Sequence, residues 1–321
     1  RQIMTGAAQH EAPRDLVQLS EDSIERGSKS FAAAARLFAP DTRKDAVMLY
    51  AWCRHADDLI DGQTLGHDQR ASYRAGQRDR LQALREATEA ALDGAYAKDE
   101  VFEALHRVVE RHQIPHRHPL ELVRGFEMDA EGRVYDTLDD TLDYCYHVAG
   151  VVGVMMSMIM GARDKTVLDR ASDLGIAFQL TNIARDVLDD ARVGRVYLPA
   201  RWLNEAGLSV VQPDRQDHQV VLHSLAMQLL DHAEPHYTSA YEGIASLPWR
   251  SAWAIAAARR VYRDIGEKLR NGGPAAWQGR VATTKARKIW LLVLSLKDVV
   301  MTRFARVDDA ADRVGLYQRP S

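Results

Sequence analysis

VMLYAWCRHADDLIDG, at residues 47–62, joins an apolar pattern to three carboxylates within five positions. Residues three, four and seven apart share one face of a helix. One such face here carries Val47, Tyr50, Arg54, Asp57 and Asp61. Carboxylates in an apolar helix are costly to remove from water unless positive charge meets them. The stretch therefore predicts a helix that begins in the core and ends at a site for cations.

NIARDVLDD, at residues 182–190, has the same character. The helical face that leads into it carries Ile176, Gln179, Ile183, Asp186 and Asp190, with Asn182 four residues before Asp186. Either acidic cluster alone is typical of a solvated helix face with surface ion pairs. Two D-x-x-x-D patterns, both on helices that are apolar on either side, favour another interpretation, a deep cavity with carboxylates at its mouth.

The bulk composition is that of an ordinary globular chain. Its 321 residues are 46% hydrophobic and carry a net charge of -3. This supplies a large core and excludes the basic footprint of a nucleic-acid-binding protein. Cys53 and Cys145, the two cysteines, lie in apolar contexts and are interpreted as buried thiols in a reducing compartment. The N-terminal sequence lacks the apolar core of a signal peptide, so we expect a cytoplasmic protein.

Helix-forming residues with apolar positions three and four apart fill the stretches between prolines and glycines. No alternating strand pattern is present, so the chain is predicted to be all-α. The predicted helices are about 15–25, 28–38, 41–61, 67–95, 98–112, 117–129, 137–161, 166–190, 215–247, 249–271 and 283–305. We expect a single domain at 19–308, between an N-terminal tail, 1–18, and a C-terminal tail, 309–321.

The paired acidic motifs suit Mg²⁺, which prefers oxygen ligands, retains waters and is commonly shared with substrate phosphates. A diphosphate also needs positive charge and backbone donors, which SKSF at 28–31 offers near a predicted helix start. Arg54 and Arg185 adjoin the acidic motifs, and pairing with aspartate is compatible with binding an anion there. A weaker alternative is a transition-metal pair formed by His55 and Asp58 at i, i+3 spacing.

Several longer blocks resemble the squalene/phytoene synthases, a family of head-to-head prenyl transferases. The blocks are SKSF at 28–31, MLYAWCRHADDLID at 48–61, YCYHVAGVVG at 144–153, LGIAFQLTNIARDVLDD at 174–190 and GRVYLP at 194–199. They lie in the family's order and span most of the chain, from about residue 27 to residue 280. Within the family, they are most similar to bacterial members of carotenoid pathways. The resemblance implies an isoprenoid-synthase-type helical bundle around a deep central cavity.

The resemblance also implies the roles of individual residues. The implied metal ligands are Asp57, Asp61, Asn182, Asp186 and Asp190, and the four aspartates are implied to be catalytic. Tyrosines that line the reaction centre correspond to Tyr144 and Tyr262. Residues implied to bind the diphosphate substrate are Ser28, Lys29, Ser30, Tyr50, Arg54, Gln179, Arg185 and Arg280. GRVYLP resembles a flap that closes over the mouth, with Arg195 and Tyr197 as its substrate contacts.

The implied reaction joins two molecules of geranylgeranyl diphosphate through prephytoene diphosphate to phytoene and releases diphosphate. The implied cofactor is Mg²⁺, with Mn²⁺ as a substitute, and the cavity must be dry because water would quench the carbocations. Small residues at Ala149, Gly150, Gly153 and Ser157 are expected to leave a channel for a C20 chain. No glycine-rich fingerprint for NADPH follows a strand, so NADPH is not expected. The very hydrophobic product implies peripheral contact with the inner face of a membrane.

Two alternatives stay open. One is a synthase of the same family that uses farnesyl diphosphate and makes squalene or dehydrosqualene. The depth of the cavity would distinguish this C15-using enzyme from one that uses the C20 substrate. A non-catalytic helical binding protein of the same fold belongs to a different class. Such a protein would have lost motif aspartates, whereas both D-x-x-x-D pairs are present in this sequence.

Overall fold

The computed structural model describes residues 33–61, 76–96, 99–279, 281, 283–304 and 313–320, except for the side chain of Asp61. In these ranges the helices are α1 (Pro40–Asp61), α2 (Gln77–Leu92), α3 (Glu100–His112), α4 (Arg117–Ala130), α5 (Leu138–Cys145), α6 (Val151–Ile159), α7 (Lys165–Arg192), α8 (Ala200–Glu205), α9 (Gln216–Gly243), α10 (Trp249–Gly272) and α11 (Lys285–Phe304). The described residues contain no strand, so the all-α prediction is confirmed. The short α8, which follows Pro199, was not predicted.

α7 is the central helix of the bundle. It begins where the carboxylate of Asp164 accepts hydrogen bonds from the backbone N–H groups of Thr166 and Val167, at 2.8 and 3.3 Å, which satisfies two of the donors that a helix start leaves free. Its faces pack against α9, α6 and α10. Because three helices surround it, α7 supplies residues both to the apolar core and to the cavity described below.

Two glycines allow α6 and the turn before it to touch the backbone of α7. A Cβ atom at Gly153 would lie 2.4 Å from the carbonyl oxygen of Ala171, and one at Gly175 would lie 2.2 Å from that of Ala149. Neither distance is possible for a side-chain carbon, so any larger residue must push the two helices apart. Ala149, Gly153 and Ser157 line the cavity as expected, whereas Gly150 is buried against Tyr146 and Ser172.

The predicted helix 137–161 is interrupted by a π-helical turn. The chain passes from α5 through the π-turn at Tyr146–Gly150 into α6, and the helical run as a whole spans Leu138–Ile159. Among the described residues, this run is long and apolar enough to cross a membrane by length and composition alone. Since 67% of its most apolar window is buried inside the fold, it serves here as a core helix.

Residues 313–320 lie against the helical bundle. Arg313 donates to both carboxylate oxygens of the fully buried Asp173 at 2.6 and 2.9 Å. Arg319 donates to Asp169 at 2.5 Å, and the ring of Tyr317 stacks on that of Tyr146. These contacts join the end of the chain to α7 and to the π-turn. The predicted boundaries of the domain and its tails otherwise stay predictions.

Arg313→Gln should destabilise the fold, because it leaves the carboxylate of Asp173 buried with only the Ser239 hydroxyl as a described side-chain donor. Removing one partner of a buried ion pair costs about 3 kcal/mol or more. Urea unfolding followed by circular dichroism measures the change. The control, Arg215→Gln, removes a fully exposed pair with Asp217 and should change stability little. Equal stability of the two variants would contradict the structural role of residues 313–320.

Candidate active site

A cavity of about 540 Å³ lies between α1, α4, α5, α6, α7, α9, α10 and α11. Most of its wall is apolar, with Val148, Val152, Met156, Leu174 and Ile255 among the lining residues. Seven of the residues predicted for the site line it: Tyr50, Arg54, Asp57, Tyr144, Gln179, Asn182 and Tyr262. They come from both acidic helices and from two others, so the fold brings residues that are distant in the sequence to one apolar chamber.

On α1, the guanidinium group of Arg54 holds two carboxylates. It lies 3.0 Å from Asp57 and 3.1 Å from Asp58. The ring of His55 packs edge-on against Phe102. Among the described residues, no group of three or more His, Cys, Asp and Glu is arranged to hold a metal ion. The His55–Asp58 alternative gains no support from the contacts of these two residues, because Asp58 pairs with Arg54 and His55 packs on Phe102.

On α7, the equivalent arginine also pairs with its acidic neighbour. Arg185 forms a two-point hydrogen bond to Asp186 at 2.7 and 2.5 Å. Nearby, the Tyr262 ring from α10 stacks on Phe178 with ring centroids 4.0 Å apart. Burial raises the pKa of Tyr262, opposed by Arg185 and reinforced by Asp186. This hydroxyl therefore stays protonated at neutral pH, where it can both donate and accept a hydrogen bond.

Asp190 faces the flap segment, which comprises residues 194–199. Asp190, Arg195 and Tyr197 line a second, small pocket of about 10 Å³. This pocket lies against α7, the helix that also forms part of the wall of the main cavity. The backbone N–H of Arg195 donates to the carbonyl of Asp190 at 2.8 Å. Burial and the charge of Asp186 raise the pKa of Asp190 to about 8, against the opposing charge of Arg195. The flap residues therefore approach the second acidic motif, and their contact with the substrate stays a prediction.

The donor set at these two motifs fits a divalent cation. Burial, and after it the negative charge of Asp186, raise the pKa of Asp190, and a bound cation would oppose both effects by favouring the ionised carboxylate. Asn182 adds a neutral oxygen donor one turn earlier, and Asp57 faces the same cavity from α1. Hard cations such as Mg²⁺ take carboxylate and amide oxygens and keep several waters. These residues would hold the metal, and the remaining positions suit water and phosphate oxygens.

Comparison with known proteins agrees with this geometry. The family model described as squalene/phytoene synthase matches residues 24–287. The chain belongs to the squalene/phytoene synthase family. It is therefore an enzyme of prenyl-transferase type, whose family condenses prenyl diphosphates and generally depends on divalent metal.

Its similar relatives include a 15-cis-phytoene synthase from a Paracoccus strain, 52% identical over 95% of this chain and 98% of the relative. A phytoene synthase from Pseudescherichia vulneris is 48% identical over the same shares of both chains. A crystal structure of a dehydrosqualene synthase with a ligand matches with a TM-score of 0.78 and 26% identity, over 90% of this chain and 98% of that one. The isoprenoid-synthase type of helical fold is thereby confirmed.

Asp129 is a site residue of this squalene/phytoene synthase that the sequence did not predict. Its carboxylate accepts hydrogen bonds from the Tyr144 hydroxyl at 3.0 Å and from the Tyr197 hydroxyl at 2.7 Å. The two tyrosine rings stack with centroids 4.7 Å apart. Asp129 thus ties a cavity residue to the flap segment. A sequence signal existed, since Leu122, Phe126 and Asp129 line the cavity at spacings of four and three on α4.

Other predicted residues are placed differently. Ser28, Lys29, Ser30 and Arg280, together with the side chain of Asp61, fall outside the described residues. Cys145 is buried and Cys53 is partly buried on the cavity wall, and both are free thiols. Lys288 on α11 also lines the cavity and was not predicted. It adds a positive charge to the chamber wall.

Asp129→Asn should lower turnover about 10- to 100-fold while the helical circular dichroism is unchanged, because it replaces one of the two acceptor oxygens with an NH2 donor and removes the negative charge. Steady-state kinetics with the prenyl diphosphate substrate measure the effect. Tyr197→Phe, which removes only the flap contact, should give a smaller loss. The exposed Asp139→Asn on α5 is the matched control. Full activity of Asp129→Asn would exclude a role for this carboxylate.

The stability of the metal-free enzyme should fall with rising pH through the titration of Asp190. Its folded-state pKa of about 8 lies above the ordinary value of 3.8. The folded chain therefore holds a proton that the unfolded chain releases, so this stability is complete below the unfolded pKa and lost as pH rises through about 8. In the presence of a chelator, the Tm of the wild type should fall more steeply than that of Asp190→Asn between about pH 4 and pH 8, and the two curves should run parallel above that range.

Added Mg²⁺ should oppose this fall in Tm, because a cation binds the ionised carboxylate and competes with the proton. The gain in Tm from Mg²⁺ should therefore be larger at high pH, and Asp190→Asn should lose most of it. Parallel Tm curves for wild type and variant, with and without metal, would show that Asp190 neither titrates near pH 8 nor meets the cation.

Proposed function

We propose that the chain is a phytoene synthase that condenses two molecules of geranylgeranyl diphosphate, head to head, into phytoene. The observation that carries the proposal is the pairing of two acidic helices with a large apolar cavity, in a chain about half identical to phytoene synthases along nearly its whole length. A cavity of about 540 Å³ falls in the range of small-molecule binding pockets.

The proposed reaction balances without a reductant. In the first half, one diphosphate leaves, the double bond of the second molecule attacks the allylic cation, and loss of one proton closes the cyclopropane of prephytoene diphosphate. In the second half, the other diphosphate leaves, the ring rearranges, and a second proton is lost to give phytoene. Each half releases one diphosphate and one proton, so no hydride donor is required.

Positive side chains around the cavity suit the two diphosphates. Arg54 lies on the cavity wall from α1, Lys288 lies there from α11, and Arg185 adjoins it beside Tyr262. Arg54 and Arg185 each already pair with an aspartate, which keeps both guanidinium groups in place before the substrate arrives. Bound Mg²⁺ would supply Lewis-acid assistance to diphosphate departure. Mn²⁺ would serve as a substitute with the same oxygen ligands.

The apolar wall protects and guides the carbocations. Val, Met, Leu and Ile side chains exclude water that would otherwise capture the cation as an alcohol. The Phe178–Tyr262 stack offers an aromatic face to positive charge. The Asp129 carboxylate, held by two tyrosine hydroxyls, is a fixed negative charge on the cavity wall and orients the Tyr144 hydroxyl. Electrostatic groups fixed in this way need not reorganise during the reaction.

The enzyme is further proposed to work at a membrane. Phytoene is a C40 hydrocarbon, and release of such a product into water is strongly unfavourable. A cytoplasmic enzyme in peripheral contact with the inner face of the membrane can pass the product directly into lipid. The substrate, which has a C20 chain and a charged head group, also partitions to such a surface.

A product assay tests the function. Purified enzyme is incubated with Mg²⁺ and geranylgeranyl diphosphate, or with farnesyl diphosphate, each with and without NADPH, and the hydrocarbon is separated by chromatography. We expect phytoene from the C20 substrate without NADPH. A C30 product formed only from farnesyl diphosphate would move the assignment to the squalene or dehydrosqualene branch. No hydrocarbon from folded, metal-loaded protein would favour the non-catalytic binding protein.

Two variants test whether product formation depends on the two acidic motifs. Asp57→Asn and Asp186→Asn should each lower turnover by about 100-fold or more, because they remove carboxylates from the metal site. The exposed Asp189→Asn, adjacent in sequence to the second motif, is the matched control and should retain activity. Full activity of either motif variant would remove that residue from the metal site and leave the reaction assignment intact.

A further inference from the structure

α11 presents an apolar face that no described residue covers. Its buried side packs on α10, where Asp298 forms a two-point pair with Arg260 and the carbonyl of Leu292 accepts a hydrogen bond from the indole of Trp253. The opposite side carries six large apolar residues with between 41% and 82% of their surface exposed: Ile289, Trp290, Val293, Val300, Met301 and Phe304. They define the apolar face of α11 discussed below.

The spacing places these residues on one side of the helix. Ile289, Val293 and Val300 follow at intervals of four and seven, and Trp290, Met301 and Phe304 flank that line. Trp249, also exposed, extends the face near the end of α11, where the guanidinium carbon of Arg303 lies 5.2 Å from the centre of its ring. A large apolar patch on a water-soluble fold marks an interaction site.

The charges on α11 indicate what this face contacts. The helix carries five basic residues and one acidic residue, and that one, Asp298, is buried and paired. Lys285 and Lys297 are exposed, and Lys297 lies within the sector of the apolar face. Exposed Trp and Phe beside lysines are typical of helices that lie in the interface of an anionic bilayer. α11 is not among the described helices that are apolar enough to cross a membrane.

The face also adjoins the cavity. Ile289 belongs to the exposed face and lines the cavity, and its neighbours Lys288 and Leu292 line it as well. One segment of α11 therefore separates the cavity from the outside and presents apolar side chains outward. A hydrocarbon that leaves the cavity along Ile289 would meet the apolar face before it met water.

We propose that the apolar face of α11 is the surface with which the enzyme docks on anionic lipid membranes, with the cavity opening toward the bilayer at Ile289. α11 lies along the bilayer surface, with Trp290 and Phe304 among the acyl chains and Lys285 and Lys297 near the lipid phosphates. The proposal names the surface for the membrane contact included in the proposed function. The docking surface itself is argued from α11. Only the identity of the molecule that passes between cavity and lipid, a prenyl substrate or hydrocarbon product, rests on the proposed function.

Vesicle flotation tests the surface. The full chain is mixed with vesicles of phosphatidylcholine alone or with anionic phosphatidylglycerol, at low and high salt. We expect the wild type to float with the anionic vesicles and Trp290→Glu/Phe304→Glu to bind them at least about tenfold more weakly. The matched control, Val210→Glu/Val220→Glu, adds the same charge at exposed valines outside α11 and should bind as the wild type does.

A milder pair of substitutions guards against misfolding. Lys285→Gln/Lys297→Gln leaves every apolar contact in place and should weaken binding to anionic vesicles while reducing its salt dependence. The proposal is overturned if the wild type does not float, or if both α11 variants float as the wild type does. It is also overturned if sedimentation shows a dimer that the glutamate variant breaks, because the face would then bind a second copy of the chain.

Activity in detergent separates this proposal from the proposed function. With geranylgeranyl diphosphate dispersed in detergent, the glutamate variant should form phytoene at the wild-type rate, because none of its substituted residues lines the cavity. Vesicle binding without any hydrocarbon product would support the docking surface and contradict the proposed function. Product formation without vesicle binding would support the proposed function and contradict the docking surface.

Discussion

The contact between the backbones of α6 and α7 positions the rest of the site. Gly153 and Gly175 let carbonyl groups of each segment lie against the glycine of the other, closer than any side chain permits. This contact sets the orientation of α7 and therefore the direction in which Gln179, Asn182 and Asp186 project. It also forms one wall of the cavity, since Gly153 and Gly175 both line it. The chemistry of the acidic motif thus depends on a steric constraint two to three turns away.

The charge balance at the cavity depends on which positive or hydrogen-bonding groups the fold places beside each buried carboxylate. Arg54 and Arg185 each neutralise carboxylates of their own helix, and tyrosine hydroxyls satisfy Asp129. Asp190 is the exception, since burial and Asp186 together outweigh Arg195 and raise its pKa. A site that is complete except for one strained carboxylate is suited to a cation that arrives with the substrate. The apolar wall strengthens the effect by lowering the local dielectric constant.

Local patterns in the sequence were enough to predict most helices and the two motifs. Apolar spacing and caps predicted helices at 41–61 and 166–190, and the structure has Pro40–Asp61 and Lys165–Arg192. The π-turn at Tyr146–Gly150 was not predicted, because apolar spacing does not distinguish a π-turn from a continuous helix, and in the structure Ala149 of this turn lies against Gly175 of α7. Asp129 was missed for a similar reason. Its role comes from two tyrosines that lie 15 and 68 positions further along the chain.

α11 has two sides with different environments, because its inner side packs against the bundle and its outer side is exposed. Its inner side must be held firmly, which the Asp298–Arg260 pair and the Trp253 hydrogen bond achieve. Its outer side carries six large exposed apolar residues, a patch of the kind that marks an interaction site. The proposed docking on a membrane creates a need for a polar site, which holds the charged head group, at one boundary of the cavity and for contact with lipid at another. The positions of the acidic motifs on α1 and α7 and of the apolar face on α11 satisfy that need within one bundle.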